Sequence, residues 1–301
     1  GFSIEVIETD ESGESLRVLC ETLAGREFGL AIGPLTRNAV TALAATGPLP
    51  LPVLALNQTD GVPPPPNMAM FGLGIENEAA QVASYAYRDA SAVQTERRPR
   101  AAIVHDGTPV SQRSVTAFIE RWYQSGGEYY EAVQTTSTSA AEIRDLLRGV
   151  DADVYFAALP RAAAAALRAI AGNRITVYGT SLLNSGALPE AGERSSRMPI
   201  IRSPELDGVR IAAMPWQVQP DHPAVMVYPR QAELNVELQK LYALGIDALR
   251  LGLVLLAGET RVDLDGVTGL LRLDLTRDAR VDRLPLLAEY RDGVLGVAAP
   301  R

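Results

Sequence analysis

Short apolar runs alternate along this chain with longer segments in which apolar residues recur every three or four positions. Runs at residues 28–32, 52–56, 68–73, 101–105, 130–133, 154–158, 175–178 and 209–213 predict strands, several of them apolar enough to be buried on both faces. A strand-like run also opens the chain at residues 4–7. Between them, Ala79, Val82, Ala83 and Ala86 mark one face of a helix over residues 76–90. Val115, Phe118, Ile119 and Trp122 repeat that spacing in a helix capped by Ser111 and ended by Gly126-Gly127. Ser139 and Glu142 match a capping box ahead of Ile143, Leu146 and Leu147. Further helices are predicted over residues 36–43, 161–171 and 234–257.

Such a succession of strand and helix units predicts an α/β fold with parallel sheets flanked by helices on both faces. The length, 301 residues, exceeds what one core usually fills, so two lobes are expected. Two crossings between lobes are read at the charged connector 96–100, which holds Pro99, and at the proline-rich stretch 215–230. These give residues 1–98 with 220–275 as lobe one, and 99–219 with 276–301 as lobe two. Residues 59–67, with four consecutive prolines from Pro63, read as a stiff extended loop. Residues 185–207 break the rhythm and read as a long irregular loop.

Composition narrows the function classes. The net charge of -8 offers no global attraction to nucleic acid or to an anionic membrane. No apolar run approaches the length of a membrane span; the longest, residues 249–257, contains Arg250. The single cysteine, Cys20, allows no intramolecular disulfide and sits in an apolar helical stretch, where a buried thiol is expected. Lys240 is the one lysine among 28 basic residues, a bias read as genomic composition. Two histidines with no metal-ligand spacing, no nucleophile elbow, no phosphate loop and no complete dinucleotide fingerprint leave little for an enzyme, and no cofactor is implied. Carboxylate-pair chemistry stays open, because spatial pairing is invisible in sequence.

Several motifs are similar to a known family. The segments Gly33-Pro34-Leu35-Thr36-Arg37-Asn38, Leu54-Ala55-Leu56-Asn57-Gln58, Leu241-Tyr242-Ala243-Leu244-Gly245-Ile246-Asp247-Ala248 and Asp265-Gly266-Val267-Thr268-Gly269 together resemble the C-terminal domain of the penicillin-binding protein activator lipoproteins, the LpoA (LppC) family. The resemblance runs from about residue 28 to the end, and the order of elements is similar to type I periplasmic binding proteins. It implies a two-lobed fold, with the first strand and helix of lobe one missing from this sequence. It also implies a periplasmic, non-catalytic regulatory domain of an outer-membrane lipoprotein, anchored through an N-terminal lipid outside this chain. The implied partner is a class A penicillin-binding protein, a peptidoglycan synthase. The alternative is a periplasmic receptor for a small amino-acid-like or cell-wall-derived solute.

Candidate ligand contacts lie where strands end, since ligands of open α/β sheets bind there. Thr36 sits at a helix start, where a hydroxyl beside free N–H groups suits a carboxylate, though capping preferences favour a plain cap over ligand contact. Asn57 and Gln58 follow a strand and could line a cleft or tie down their loop. His105 and Asp106 end another strand, and a loop-stabilising pair is the competing reading. Ser181 ends a fourth, and Asp247 lies within the long helix, where an ordinary helix carboxylate is the alternative. Arg144, Arg148, Arg194, Arg197 and Arg202 form either a basic patch or a solvated face.

Overall fold

In the computed structural model, residues 2–184, 202–231 and 234–299 are described. The elements in chain order are α1 (Gly13–Gly25), β1 (Ala31–Ile32), α2 (Arg37–Ala45), β2 (Val53–Ala55), β3 (Met68–Met70), α3 (Ile75–Val93), β4 (Arg100–His105), α4 (Pro109–Ser125) and β5 (Tyr129–Gln134). There follow α5 (Ala140–Leu146), β6 (Val154–Ala158), α6 (Arg161–Ala171), β7 (Thr176–Gly179), β8 (Arg210–Ala213), α7 (Pro215–Val218), α8 (Pro223–Met226) and α9 (Val236–Leu256). A run of short strands closes the chain: β9 (Arg261–Asp265), β10 (Leu270–Asp274), β11 (Asp278–Leu284), β12 (Leu286–Arg291) and β13 (Val294–Val297). The expected alternation of strands and helices is therefore present, and each predicted strand but the first has a counterpart. Residues 4–7, Ile4-Glu5-Val6-Ile7, are largely β-branched and apolar yet join no sheet. Most of the irregular loop, including Arg194 and Arg197, falls outside the described residues.

The chain forms two compact units. The smaller comprises Gly1–Gly74, Leu244–Asp265 and Leu270–Arg283; the larger comprises Ile75–Ala243, Gly266–Gly269 and Leu284–Arg301. These limits differ from the expected lobe limits at 98/99, 219/220 and 275/276, for reasons of packing. Helix α3 buries Ala79, Val82, Ala83 and Ala86 with Ile103 and Phe156 of the larger unit. Residues 220–243 go with that unit as well, where Trp216 Nε1 donates to Gln239 at 2.8 Å. Residues 278–283 belong to the smaller unit because β11 pairs with β3.

The smaller unit holds a six-stranded sheet in the order β1-β2-β3-β11-β10-β9. β1, β2 and β3 run parallel, and β9 and β10 form an antiparallel hairpin. Consecutive side chains of β2 explain the layering. Val53 and Ala55 face Leu16, Cys20 and Leu43 of α1 and α2, while Leu54 faces Leu244, Ala248 and Leu251 of α9. A strand covered on both sides must be apolar throughout, which is why it reads as an unbroken apolar run. Cys20 is buried in the first of these layers.

The larger unit holds seven strands in the order β13-β12-β8-β7-β6-β4-β5. β8, β7, β6, β4 and β5 are parallel, and β12 and β13 add antiparallel strands at one edge. Ala101 and Ile103 of β4 pack with α3 and α4, and Ala102 and Val104 with α5 and α6. Phe118 of α4 stacks on Phe156 of β6 with ring centroids 4.2 Å apart. Helix α4 is capped by Thr108, whose hydroxyl accepts from Ser111 N, so the expected cap lies three residues earlier than Ser111. Pro109 at the first helical position sets that start, its ring already holding a helical φ. The helix stops at Gly126, with φ of 110°, where a Cβ would lie 2.6 Å from the Tyr87 hydroxyl. Ser139 caps α5 by accepting from Glu142 N.

Candidate functional site

In the smaller unit, β1 and β2 end side by side, and three expected site residues follow them. The hydroxyl of Thr36 caps α2, accepting from Ala39 N at 3.3 Å and donating to Glu11 Oε2 at 2.9 Å. Asn57 donates through Nδ2 to Leu35 O at 3.0 Å and accepts from Gln58 N at 3.0 Å. Thr36 is exposed, Asn57 half-buried and Gln58 buried. The Thr36 and Asn57 side chains thus have structural tasks, and Thr36 keeps its exposure while performing its own. Asp247 of α9 is different. It is fully buried and accepts from Arg250 Nη1 at 3.1 Å, while Arg250 Nη2 also donates to Asp265 O at 2.9 Å. That geometry fixes α9 to the strand β9 from within the unit.

The smaller unit also shows a concavity of about 600 Å³ lined by Arg261, Asp263, Arg272, Asp274, Arg277 and Arg280 among others. It lies on the β9–β11 hairpins, at the opposite edge of the sheet from β1. Arg261 pairs with Asp274 at 3.2 Å and Arg272 with Asp263 at 3.3 Å, and these side chains are largely exposed. Exposed cross-strand pairs of this kind contribute little to stability.

In the larger unit, the order β5-β4-β6-β7-β8 reverses direction between β4 and β6, and that reversal is where open sheets of this type leave a crevice. His105 and Asp106 stand there. The backbone N–H of Asp106 still reaches Ala158 O of β6, at 3.2 Å. The Asp106 carboxylate accepts from the Thr108 N–H at 3.0 Å and the Thr108 hydroxyl at 2.7 Å. Burial pushes its pKa up, but the hydrogen bonds from Ser111 and Thr108 outweigh this and hold it below the usual value. His105 Nδ1 is buried with no hydrogen-bond partner among the described residues. Asp106 therefore orders the start of α4 through Thr108 and Ser111.

Ser181 begins the turn after β7. Its backbone N–H donates to Glu78 Oε2 at 2.9 Å, and its carbonyl accepts from Lys240 Nζ at 3.4 Å. Sequence reasoning missed both partners. A second missed cluster lies deeper: Arg210 of β8 donates to Asp89 Oδ2 at 2.7 Å and to Glu289 Oε2 at 3.0 Å, and the Tyr178 hydroxyl donates to Asp89 at 2.8 Å. Asp89 and Arg210 have 3% and 2% of their side chains exposed. The available signal was in α3. Its buried stripe runs through Glu78, Val82, Ala86 and Asp89, so two acids share the apolar face.

Taken together, these residues can bind and orient, but they do not assemble a nucleophile with its base. No three His, Cys, Asp or Glu side chains gather as a metal ion would need, among the described residues. Nor is any helix long and apolar enough to cross a membrane, among the described residues.

The family described as "LppC putative lipoprotein" matches residues 2–151. The penicillin-binding protein activator LpoA of Pectobacterium parmentieri is 31% identical over 145 residues, which are 48% of this chain and 20% of that protein. Against curated relatives of this name, the alignments cover from 13% to 43% of the relative's length, so the chain spans less than half of each. A solved structure described as "a putative branched-chain amino acid ABC transporter" from Chromobacterium violaceum is 33% identical, covers 95% of this chain and 88% of its own, and superposes with a TM-score of 0.74. The C-domain of Haemophilus influenzae LpoA, described as a regulator of PBP1A, superposes with a TM-score of 0.72 over 94% of this chain and 86% of its own, at 20% identity. The fold is that of type I periplasmic binding proteins.

Proposed function

Because the chain belongs to the LppC family, we propose that it is the regulatory domain of an envelope lipoprotein that binds and activates a class A penicillin-binding protein. The observation that carries this reading is the agreement between the curated activators and the solved C-domain, which spans nearly the whole chain. In this reading the domain is regulatory and non-catalytic. The full protein is held at the outer membrane by an N-terminal lipid and faces the periplasm. The test is capture of the synthase's periplasmic region by the complete lipoprotein, followed by glycan polymerisation and crosslinking assays. Binding with stimulation of either reaction supports the proposal; no binding by the complete lipoprotein ends it.

A second reading has its own observation: the 33% identity to a protein described as a branched-chain amino acid ABC transporter. Here the chain is a receptor for a small amino-acid-like or cell-wall-derived solute. Thr36, Asn57 and Gln58 of the smaller unit, or His105 and Asp106 of the larger, then contact it. A thermal-shift panel of amino acids, short peptides and muropeptide fragments separates the two readings. A true ligand at 100 times its dissociation constant adds about 2.7 kcal/mol. Flat shifts across the panel rule against the receptor.

A further inference from the structure

The end of β7 is built like a small zwitterion site, and the chain's own side chains stand in it. Ser181 lies two residues past the end of β7 and opens the short 3-10 turn Ser181–Asn184, so its N–H finds no partner within that turn. The N–H receives a carboxylate, Glu78 Oε2 at 2.9 Å; the C=O receives an ammonium, Lys240 Nζ at 3.4 Å. The two partners are remote in sequence, 103 and 59 residues from Ser181. All three residues belong to the larger unit. They are buried, with relative exposures of 2% for Glu78, 7% for Lys240 and 9% for Ser181.

One carboxylate on an N–H and one ammonium on the C=O of the same residue are the contacts that the two ends of an α-amino acid would make. Burying such charges is unfavourable unless each meets its partner. The residue choice is informative too. This chain uses arginine for all but one of its 28 basic residues, and the exception is Lys240. A forked guanidinium is broad and planar, whereas an ammonium is a compact point charge with three donors. Lys240 spends those donors on Ser181 O and on Glu237 Oε1, the latter at 2.9 Å.

We propose that Glu78 and Lys240 are an internal ligand surrogate that fills the carboxylate and ammonium subsites at Ser181, so that this strand end admits no free amino acid. The inference does not depend on the activator reading, and its failure would leave that reading untouched.

Vacating the subsite tests it. In Glu78→Ala, Ser181 N–H loses its acceptor and a carboxylate-sized space opens. Thermal unfolding is followed in sodium formate, acetate or glycine, against sodium chloride at equal ionic strength. The expected result is a lowered Tm for E78A that recovers saturably, by at least about 2 °C, with formate or acetate and not with chloride. Wild type shows no such response. Lys240→Ala is expected to respond to methylammonium in the same way, and the double variant to glycine. Glu78→Gln keeps an acceptor in place and is expected to ignore acetate. Should E78A fail to fold during expression, its refolding yield in acetate against chloride gives the same reading. Equal Tm or equal yield in all salts overturns the proposal, as does saturable stabilisation of wild type by α-amino acids.

Discussion

The two units treat the ends of their parallel strands in opposite ways. In the smaller one, Thr36 and Asn57 sit where β1 and β2 stop, Thr36 exposed and bonded to Ala39 N and Glu11, Asn57 half-buried and bonded to Leu35 O. In the larger one, the turn after β7 is closed by buried charges, and the strand β8 behind it is bound through Arg210 to Asp89 and Glu289. Hydrogen bonds at a surface can be exchanged for water at small cost, so those positions are available for recognition. Buried charges cannot be exchanged in that way, so those positions are committed to architecture. The same fold can thus keep one strand end usable and retire another.

The difference should be largest at Arg210. Replacing it with Met takes the buried cation from Asp89 and leaves it the largely exposed Arg88 at 3.0 Å, so a loss of about 3 kcal/mol in denaturant unfolding is expected. Removing Asp89 as well, as Asp89→Leu in the Arg210→Met background, should return most of that loss, because two apolar side chains need no partner. A double variant as weak as the single one would mean that shape, not charge, is decisive. Asp247 gives the corresponding measurement in the smaller unit. Arg250 is 28% exposed and can turn to water when its partner goes. Asp247→Ala should therefore cost only about 2 kcal/mol, the loss of charge-assisted hydrogen bonds.

Tyr290 extends the contrast to high pH. Burial pushes its pKa up to about 12, with its hydroxyl donating to Asn184 at 3.2 Å. A folded value above the unfolded one means that the folded protein holds the proton longer. The associated stability is complete below the ordinary tyrosine pKa of about 10 and is lost as pH rises toward about 12. Unfolding titrations across that window should show the fall, and Tyr290→Phe should flatten it.

Much of this architecture was legible because burial on both faces writes itself as unbroken apolar runs. β4 and β6 are read directly from Ala101 to Val104 and from Val154 to Ala158. Residues 4–7 misled because a β-branched apolar run reports a strand's potential, while a sheet neighbour decides whether one forms. Ser111 misled because Thr108 and Pro109 supply a better helix start three residues earlier. The candidate site was half legible. Strand-end positions follow from topology, so Thr36, Asn57, His105, Asp106 and Ser181 could be named. What satisfies them could not, because Glu78 and Lys240 reach Ser181 from 103 and 59 residues away. Even so, two acids on the apolar stripe of α3 were a usable warning that buried partners existed.

Thr36 is where the comparison is finest. Its hydroxyl satisfies one backbone donor at the start of α2, and losing a cap of this kind costs about 1 kcal/mol. Thr36→Ala should lower stability by that amount and no more, since Glu11, its other partner, is exposed and is left hydrated. Thr36→Ser keeps the oxygen and should restore the cap. If capping is the whole role, synthase capture and any solute response stay unchanged in both variants. If Thr36 also meets a ligand or partner, affinity in Thr36→Ala falls well beyond what the stability loss explains, and Thr36→Ser recovers it. Measuring unfolding and binding on the same three proteins separates these outcomes. A fall in binding alone would show that the exposed strand end of the smaller unit is still in use.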